Sequence, residues 1–263
     1  MISPLHKVTK TLNGKSETDF PTLLFVHGNS ASSNIWQNQF EAEILQDFAM
    51  AAFDLPGHGD SNRWSDYSVS RTLGFLIESC SEYDEFVLVG HSLGGHLAIE
   101  ALPQLPNCKG LLIFGTPPLK KPVNLQEAFL PDERMALLFK GKINSEERNQ
   151  FAQAVCDETS SSFSSIVLGI ENTDPKFREG LGASVAHGEL SDEAEILRET
   201  DIPIAILHGV DDALVNPDYI KSLDIPGLWE EKVHSVENSS HCPHIENPER
   251  FNQLLSRFLK SLD

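Results

Sequence analysis

The chain is poor in cysteine, in basic residues and in long apolar runs. Its four cysteines, Cys80, Cys108, Cys156 and Cys242, stand far apart with no C-x-x-C spacing. That excludes a disulfide framework or a cysteine-built zinc site and points to reduced thiols in the cytoplasm. Lys and Arg number 20 against 39 Asp and Glu, a formal net charge of -19. Such a balance argues against a phosphate backbone or an anionic membrane as partner and reads as a solvated acidic surface. No stretch reaches the roughly 18 apolar residues of a membrane span. The start, Met1-Ile2-Ser3-Pro4-Leu5-His6-Lys7, lacks the apolar run of a signal peptide. There is no internal repeat, and the only low-complexity tract is the serine cluster at 160–165.

What is present is an alternation of apolar strands and helical periods over 263 residues, enough for one α/β domain with an insertion. Buried strands are expected at 21–26, 48–53, 86–89, 110–115, 204–207 and 232–236, with a weaker one at 8–12 ended by the turn dipeptide Asn13-Gly14. Helical spacing links Ile35-Trp36, Phe40 and Ile44-Leu45, and recurs at 69–80 and 95–102. Pro248 opens a terminal helix whose Phe251, Leu254, Leu255, Phe258 and Leu259 share one face. Strands alternating with helices imply a mostly parallel sheet flanked by helices. Thr116-Pro117-Pro118 breaks the pattern. From 119 to 200 the chain reads as several helices, among them 131–139, 145–156 and 163–170. We read 1–118 and 201–263 as the core and 119–200 as a helical cap inserted over the sheet.

The chemistry centres on Gly90-His91-Ser92-Leu93-Gly94, a G-x-S-x-G set between a predicted strand and a predicted helix. That is the context of a nucleophile elbow, where a serine sits at a sharp strand-to-helix turn. An activated serine needs a base within hydrogen-bond reach and an acid to orient the base. Open parallel sheets collect such groups in loops at the carboxyl ends of strands. Downstream of Ser92, the strand-end acid is Asp211 or Asp212, and the histidine after the last strand is His241. Spacing alone leaves the two aspartates open.

Five stretches in order resemble the capped, esterase-like α/β-hydrolases. They are His27-Gly28-Asn29-Ser30, Asp54-Leu55-Pro56-Gly57-His58-Gly59-Asp60-Ser61, the elbow, His208-Gly209-x-x-Asp212, and His241-x-Pro243-His244-x-Glu246-Asn247-Pro248. The resemblance implies an α/β-hydrolase fold and a triad of Ser92, Asp212 and His241. It favours His241 over His244 as base, and leaves His27 and His58 to structure their loops. The oxyanion hole would be the backbone N–H groups of Leu93 and Asn29. No cofactor and no metal are implied, and the H-x-H-x-D-H cluster of metal-dependent lactonases has no counterpart here. An aspartate nucleophile, as in haloalkane dehalogenases, is ruled out by Ser92.

A narrower resemblance is to α/β-hydrolases that open N-acyl-homoserine lactones. It rests on Asn29-Ser30-Ala31-Ser32-Ser33, the run from Leu93 to Glu100, Gly115-Thr116-Pro117-Pro118, and the stretch around Met135-Ala136-Leu137. It implies substrate contacts at Asn29, Ser30, His91, Met135, Phe139 and Phe151, a small ester or lactone as partner, and a monomer or homodimer. Two features depart from that group. His91 stands where its members carry tryptophan, and Phe151 where they carry a cap tyrosine; residues 119–200 hold no tyrosine. A general carboxylesterase acting on short-to-medium acyl esters is the alternative within the class. A ligand-binding protein with little turnover is the alternative outside it.

Overall fold

The computed structural model describes residues 7–10 and 20–262. Among them seven strands form one sheet: β1 (Lys7–Lys10), β2 (Thr22–Val26), β3 (Met50–Phe53), β4 (Phe86–His91), β5 (Cys108–Phe114), β6 (Ile204–Gly209) and β7 (His234–Val236). Their order across the sheet is β1-β3-β2-β4-β5-β6-β7. Every neighbouring pair runs parallel except β1 on β3. β4 is therefore the middle strand, and the chain turns from one half of the sheet to the other around it. Ligands of open α/β sheets gather at such a reversal, beyond the strand carboxyl ends.

The inner strands read as unbroken apolar runs because both faces are covered. Leu24, Val26, Leu88, Leu111, Ile113 and Ile206 face one layer. Leu23, Phe25, Val87, Val89, Leu112 and Leu207 face the other. The alternation follows from the two-residue period of a strand. The helices are α1 (Gln37–Glu41), α2 (Val69–Cys80), α3 (Leu93–Ala101), α4 (Leu125–Ala128), α5 (Ser145–Val155), α6 (Phe163–Asn172), α7 (Pro175–Ala186), α8 (Glu193–Glu199), α9 (Pro217–Lys221), α10 (Pro243–Glu246) and α11 (Pro248–Leu259). α2 and α3 cover the first face. Trp36 and the apolar stripe of α11 cover the second.

Segment 119–200, between β5 and β6, carries α4 to α8. Local chemistry starts these helices. Asn144 and Glu147 form a reciprocal capping box on α5, and Asp174 caps α7 with Pro175 in its first turn. Asp192 caps α8.

Several elements differ from the sequence expectation. Of the strand expected at 8–12, β1 covers 8–10, and residues 11–12 and the Asn13-Gly14 turn lie outside the described residues. The last strand is only His234–Val236, because Glu230 and Glu231 adopt φ of 52° and 54° and turn the chain just before it. The helix expected at 131–139 is a 3-10 helix, Glu133–Phe139. The Asp132 carboxylate binds both the backbone N–H and the guanidinium of Arg134 at its start. The helical stretch after Ile35 is broken where Ala42 turns extended at ψ 124°.

Candidate active site

Ser92 sits between β4 and α3 with φ 51° and ψ -120°, a conformation costly for a residue with a side chain. Its surroundings hold it there. Ser92 N–H donates to Phe114 O at 2.9 Å, and the Thr116 hydroxyl donates to Ser92 O at 2.9 Å. A Cβ on Gly94 would lie 2.2 Å from Val26 O, so only glycine lets α3 approach β2 this closely.

His241 Nδ1 lies 2.9 Å from Asp212 Oδ2. Both side chains are buried, at 2% and 1% exposure, so water does not compete for the bond. Asp212 Oδ1 also accepts from Leu214 N–H and Val215 N–H, at 2.8 and 3.1 Å. Burial pushes its carboxyl up, but the His241 charge, that hydrogen bond and the two backbone donors outweigh it and hold it below the ordinary value. Asp211, by contrast, is exposed. With Nδ1–H directed at a carboxylate, His241 Nε2 carries the lone pair. That atom is buried and accepts no hydrogen bond among the described residues. Below it, Ser240 donates from both backbone and hydroxyl to Glu246, which braces the histidine loop.

The loop after β2 is held by two histidines. His27 Nδ1 lies 2.8 Å from Gly28 O, while its Nε2 accepts from Leu55 N–H. His58 Nε2 accepts from Ser30 N–H, and its Nδ1 lies 3.1 Å from Pro56 O. Burial lowers the basicity of both rings. Ser30, at φ 60°, is thereby fixed in a left-handed conformation. Its hydroxyl donates to Asn29 Oδ1 and accepts from Arg178 Nη1, and Asn29 Nδ2 donates to Leu138 O. The Asn29 and Ser30 side chains are thus engaged by protein groups, and backbone N–H is the donor left at this loop for a substrate. Arg178 also donates to Lys140 O and Gly141 O, so its guanidinium joins α7, the loop after β2 and the stretch after the 3-10 helix.

Two cavities meet at Ser92, and Asn29, Leu138 and His241 line both. The larger, ≈ 80 Å³, is walled by Phe129, Met135, Phe139 and Leu181, with Leu93 and His96 at the elbow. The smaller, ≈ 20 Å³, lies against Ser30, His91, Phe151 and Cys242. Met135 and Phe139 therefore border one side of the serine, and Ser30, His91 and Phe151 the other. A wider groove of ≈ 570 Å³ touches neither Ser92 nor His241. His91 places Nε2 3.1 Å from His241 O and stacks on Phe114. His244 is fully buried, and burial beside His241 pushes it down to about 3, so it is neutral. Cys242 is buried too, and its contact with Cys156 and its burial hold the thiol protonated.

Sequence reasoning missed Arg178 and Glu193. Neither sits in a motif, and each acts on a partner far away in the chain. Among the described residues no group of three or more His, Cys, Asp or Glu is arranged to hold a metal ion, and no helix is long and apolar enough to cross a membrane.

The family model for the alpha/beta hydrolase family matches residues 23–254. The chain belongs to that family. Across curated proteins, this hydrolase is 28% identical over 263 residues to a 2-succinyl-6-hydroxy-2,4-cyclohexadiene-1-carboxylate synthase of Enterobacter sp. (strain 638), covering 95% of this chain and 96% of the relative. It is 27% identical to the bifunctional esterase/perhydrolase DCH of Acinetobacter calcoaceticus, covering 92% and 93%. Among solved structures it is similar to the N-acyl homoserine lactonase AidH complexed with N-butanoyl homoserine. That match has a TM-score of 0.87 and 30% identity over 98% of this chain and 97% of the other. A mutant of AidH with N-hexanoyl homoserine lactone matches at 0.88 and 29%, over 98% of both chains.

Proposed function

We propose that this hydrolase cleaves carboxylic esters through an acyl-enzyme on Ser92, and that its substrates are N-acyl-homoserine lactones. His241 Nε2 takes the Ser92 proton as the oxygen attacks the acyl carbon. Asp212 holds the imidazole tautomer and stabilises the imidazolium. The developing oxyanion is met by Leu93 N–H and Asn29 N–H, each worth about 2.7–4 kcal/mol in the transition state. His241 then protonates the leaving alkoxide. In a lactone that alcohol stays tethered to the acyl group, so the site must hold the opened chain until water, deprotonated by His241, releases the acid. The buried Asp212–His241 pair beside a strained serine supports the mechanism.

The observation that carries the lactone reading is likeness to an N-acyl homoserine lactonase along the whole chain, segment 119–200 included. One observation favours a general carboxylesterase instead. Phe151 borders the smaller cavity with a ring that donates no hydrogen bond, and the Asn29 and Ser30 side chains are already engaged.

The test is a panel of N-butanoyl- and N-hexanoyl-homoserine lactone, γ-butyrolactone and p-nitrophenyl butanoate, read by proton release. The N-acyl lactones are expected to exceed γ-butyrolactone in kcat/KM by about tenfold or more. Equal rates on both lactones with fast p-nitrophenyl butanoate cleavage would give the carboxylesterase reading its place. Ser92→Ala is expected to abolish turnover of all four, and substantial residual activity would remove Ser92 from its role. If no compound turns over and a fluorophosphonate fails to label Ser92, the ligand-binding alternative stands.

A further inference from the structure

A second histidine–carboxylate pair borders the same cavity as the nucleophile. His96 lies one turn along α3 from Ser92, with its N–H on Ser92 O at 3.2 Å. Its ring lines the ≈ 80 Å³ cavity. Nδ1 stands 2.9 Å from both carboxylate oxygens of Glu193, which reaches in from α8 and is fully buried. Glu193 Oε2 also accepts from Leu119 N–H at 2.8 Å. The carboxylate thus fixes both the ring plane and the nitrogen that faces it. The ring is 16% exposed, and its other nitrogen, Nε2, makes no hydrogen bond among the described residues. The remaining wall is largely apolar, with Phe129, Met135, Phe139 and Leu181. A polar atom held in register on such a wall selects for a matching substrate atom, because an unmatched buried polar group is costly.

We propose that His96, oriented by Glu193, is a specificity-determining residue whose Nε2–H donates a hydrogen bond to a carbonyl oxygen on the acyl part of the substrate, three bonds beyond the scissile carbonyl carbon. His96 follows Ser92 by four residues, about 6 Å of backbone rise, and both residues border the one cavity. The proposal rests on Ser92 being the nucleophile. It also gives the N-acyl-lactone reading a contact, since the amide carbonyl carbon of those lactones stands three bonds from the ring carbonyl carbon.

The donor exists only in the imidazolium. With Nδ1–H given to Glu193, a neutral ring would present a lone pair at Nε2. Burial lowers the His96 pKa, but the charge and hydrogen bond of Glu193, with the charge of Glu100 on the same helix, outweigh it and raise the value above the usual 6.5. His241 borders the same cavity. Selection for the carbonyl therefore weakens as pH rises through the raised His96 value.

The experiment compares kcat/KM for p-nitrophenyl 4-oxopentanoate and p-nitrophenyl pentanoate, which differ only in that carbonyl, across pH in the wild type, His96→Leu, His96→Gln and Glu193→Gln. Expected is a keto-to-plain ratio that declines with pH in the wild type. It should fall by about tenfold in His96→Leu, the worth of one hydrogen bond from a charged donor, with the keto ester losing more than the plain one. His96→Gln keeps a neutral donor, so part of the ratio should survive without its pH dependence. Glu193→Gln should lower the ratio near neutral pH. An unchanged ratio in His96→Leu overturns the proposal. So does a parallel loss on both esters in His96→Leu and His96→Gln alike, which is the signature of a pair that only staples α8 to α3. If the ester ratio responds while N-acyl lactones are not opened, the lactone reading falls and the role of His96 stands. If N-acyl lactones are opened while the ester ratio does not respond, the role of His96 falls and the lactone reading stands.

Discussion

The two histidine–carboxylate pairs at this site have the same contact and different consequences. In each, Nδ1 is 2.9 Å from a carboxylate that water does not reach. Asp212 and His241 come from loops after β6 and β7, and two backbone N–H groups complete the Asp212 carboxylate. Glu193 and His96 come from helices, and one backbone N–H joins them. His241 is sealed to 2% exposure while His96 keeps 16%. What separates the pairs is where the second ring nitrogen points along the substrate. His241 borders both cavities that meet at Ser92, and under the proposed mechanism it handles the proton of the attacking oxygen. The other stands a helical turn away, where no bond is made or broken, and its proton is useful only as a fixed donor. Pair geometry alone therefore does not tell the proposed base from its counterpart, because both have the same Nδ1–carboxylate contact.

The largest expected difference between the pairs is kinetic. Asp212→Asn should lower kcat by about 10⁴-fold on p-nitrophenyl butanoate, because an amide neither enforces the tautomer nor stabilises the imidazolium. Glu193→Gln should leave that plain ester within about twofold, since hydrolysis passes no proton through His96. Asp211→Asn should also be near wild type, because Asp211 is exposed and, among the described residues, only its backbone N–H is tied, to Ser239 O. A Glu193→Gln loss as deep as that of Asp212→Asn would erase the distinction. A deeper loss for Asp211→Asn would move the acid by one residue.

The same contrast explains what the sequence made legible. The sheet could be read because its strands are short apolar runs with turn residues after them, and the loops beyond β2, β3, β4, β6 and β7 carry compact motifs. Asp212 and His241 follow strands, so chain order places them. Glu193 has no such cue. It opens a seven-residue helix and meets a partner 97 positions earlier, a pairing that only the packing of α8 on α3 creates. Helix α7 was equally hidden, because Gly180 and Gly182 weaken its propensity. A Cβ on Gly180 would lie 2.4 Å from Tyr67 O, so the glycine is there for close packing against the core and not to end a helix. The late start of the strand expected at 232–236 follows Glu230 and Glu231 in left-handed conformations, which their side chains do not advertise.

A smaller effect belongs to the apolar wall around His96. An acyl tail laid against Met135 and Phe139 should gain about 0.8 kcal/mol per methylene, close to fourfold in kcat/KM, until the cavity is filled. In a series of p-nitrophenyl esters the gain should stop at a definite chain length. Phe139→Ala should enlarge the cavity and move that stop to longer chains, while Phe151→Ala, bordering the other cavity, should leave it in place. If the stop moves with Phe151 and not with Phe139, the acyl group lies in the smaller cavity and His96 is on the leaving-group side.

The smallest effect is on stability, and there the two pairs have opposite signs. Asp212 is held below its ordinary pKa of 3.8 in the fold. Its contribution is complete above that value and is lost as pH falls through the folded one, in acid only. His96 is held above its ordinary 6.5. The folded state then binds the proton more tightly than the unfolded chain, so its contribution is complete below 6.5 and is lost as pH rises through the folded value. The clean reference is the double variant His96→Leu/Glu193→Gln, because His96→Leu alone would leave a buried carboxylate whose own titration opposes the effect. Urea midpoints taken from pH 5 to pH 9 should show the wild type losing stability relative to that variant as pH rises. A wild type that instead gains stability relative to the variant as pH rises through 6.5 would mean that His96 is neutral in the fold. The ring would then offer the cavity a lone pair, and the selectivity it confers would favour a donor on the substrate instead of a carbonyl.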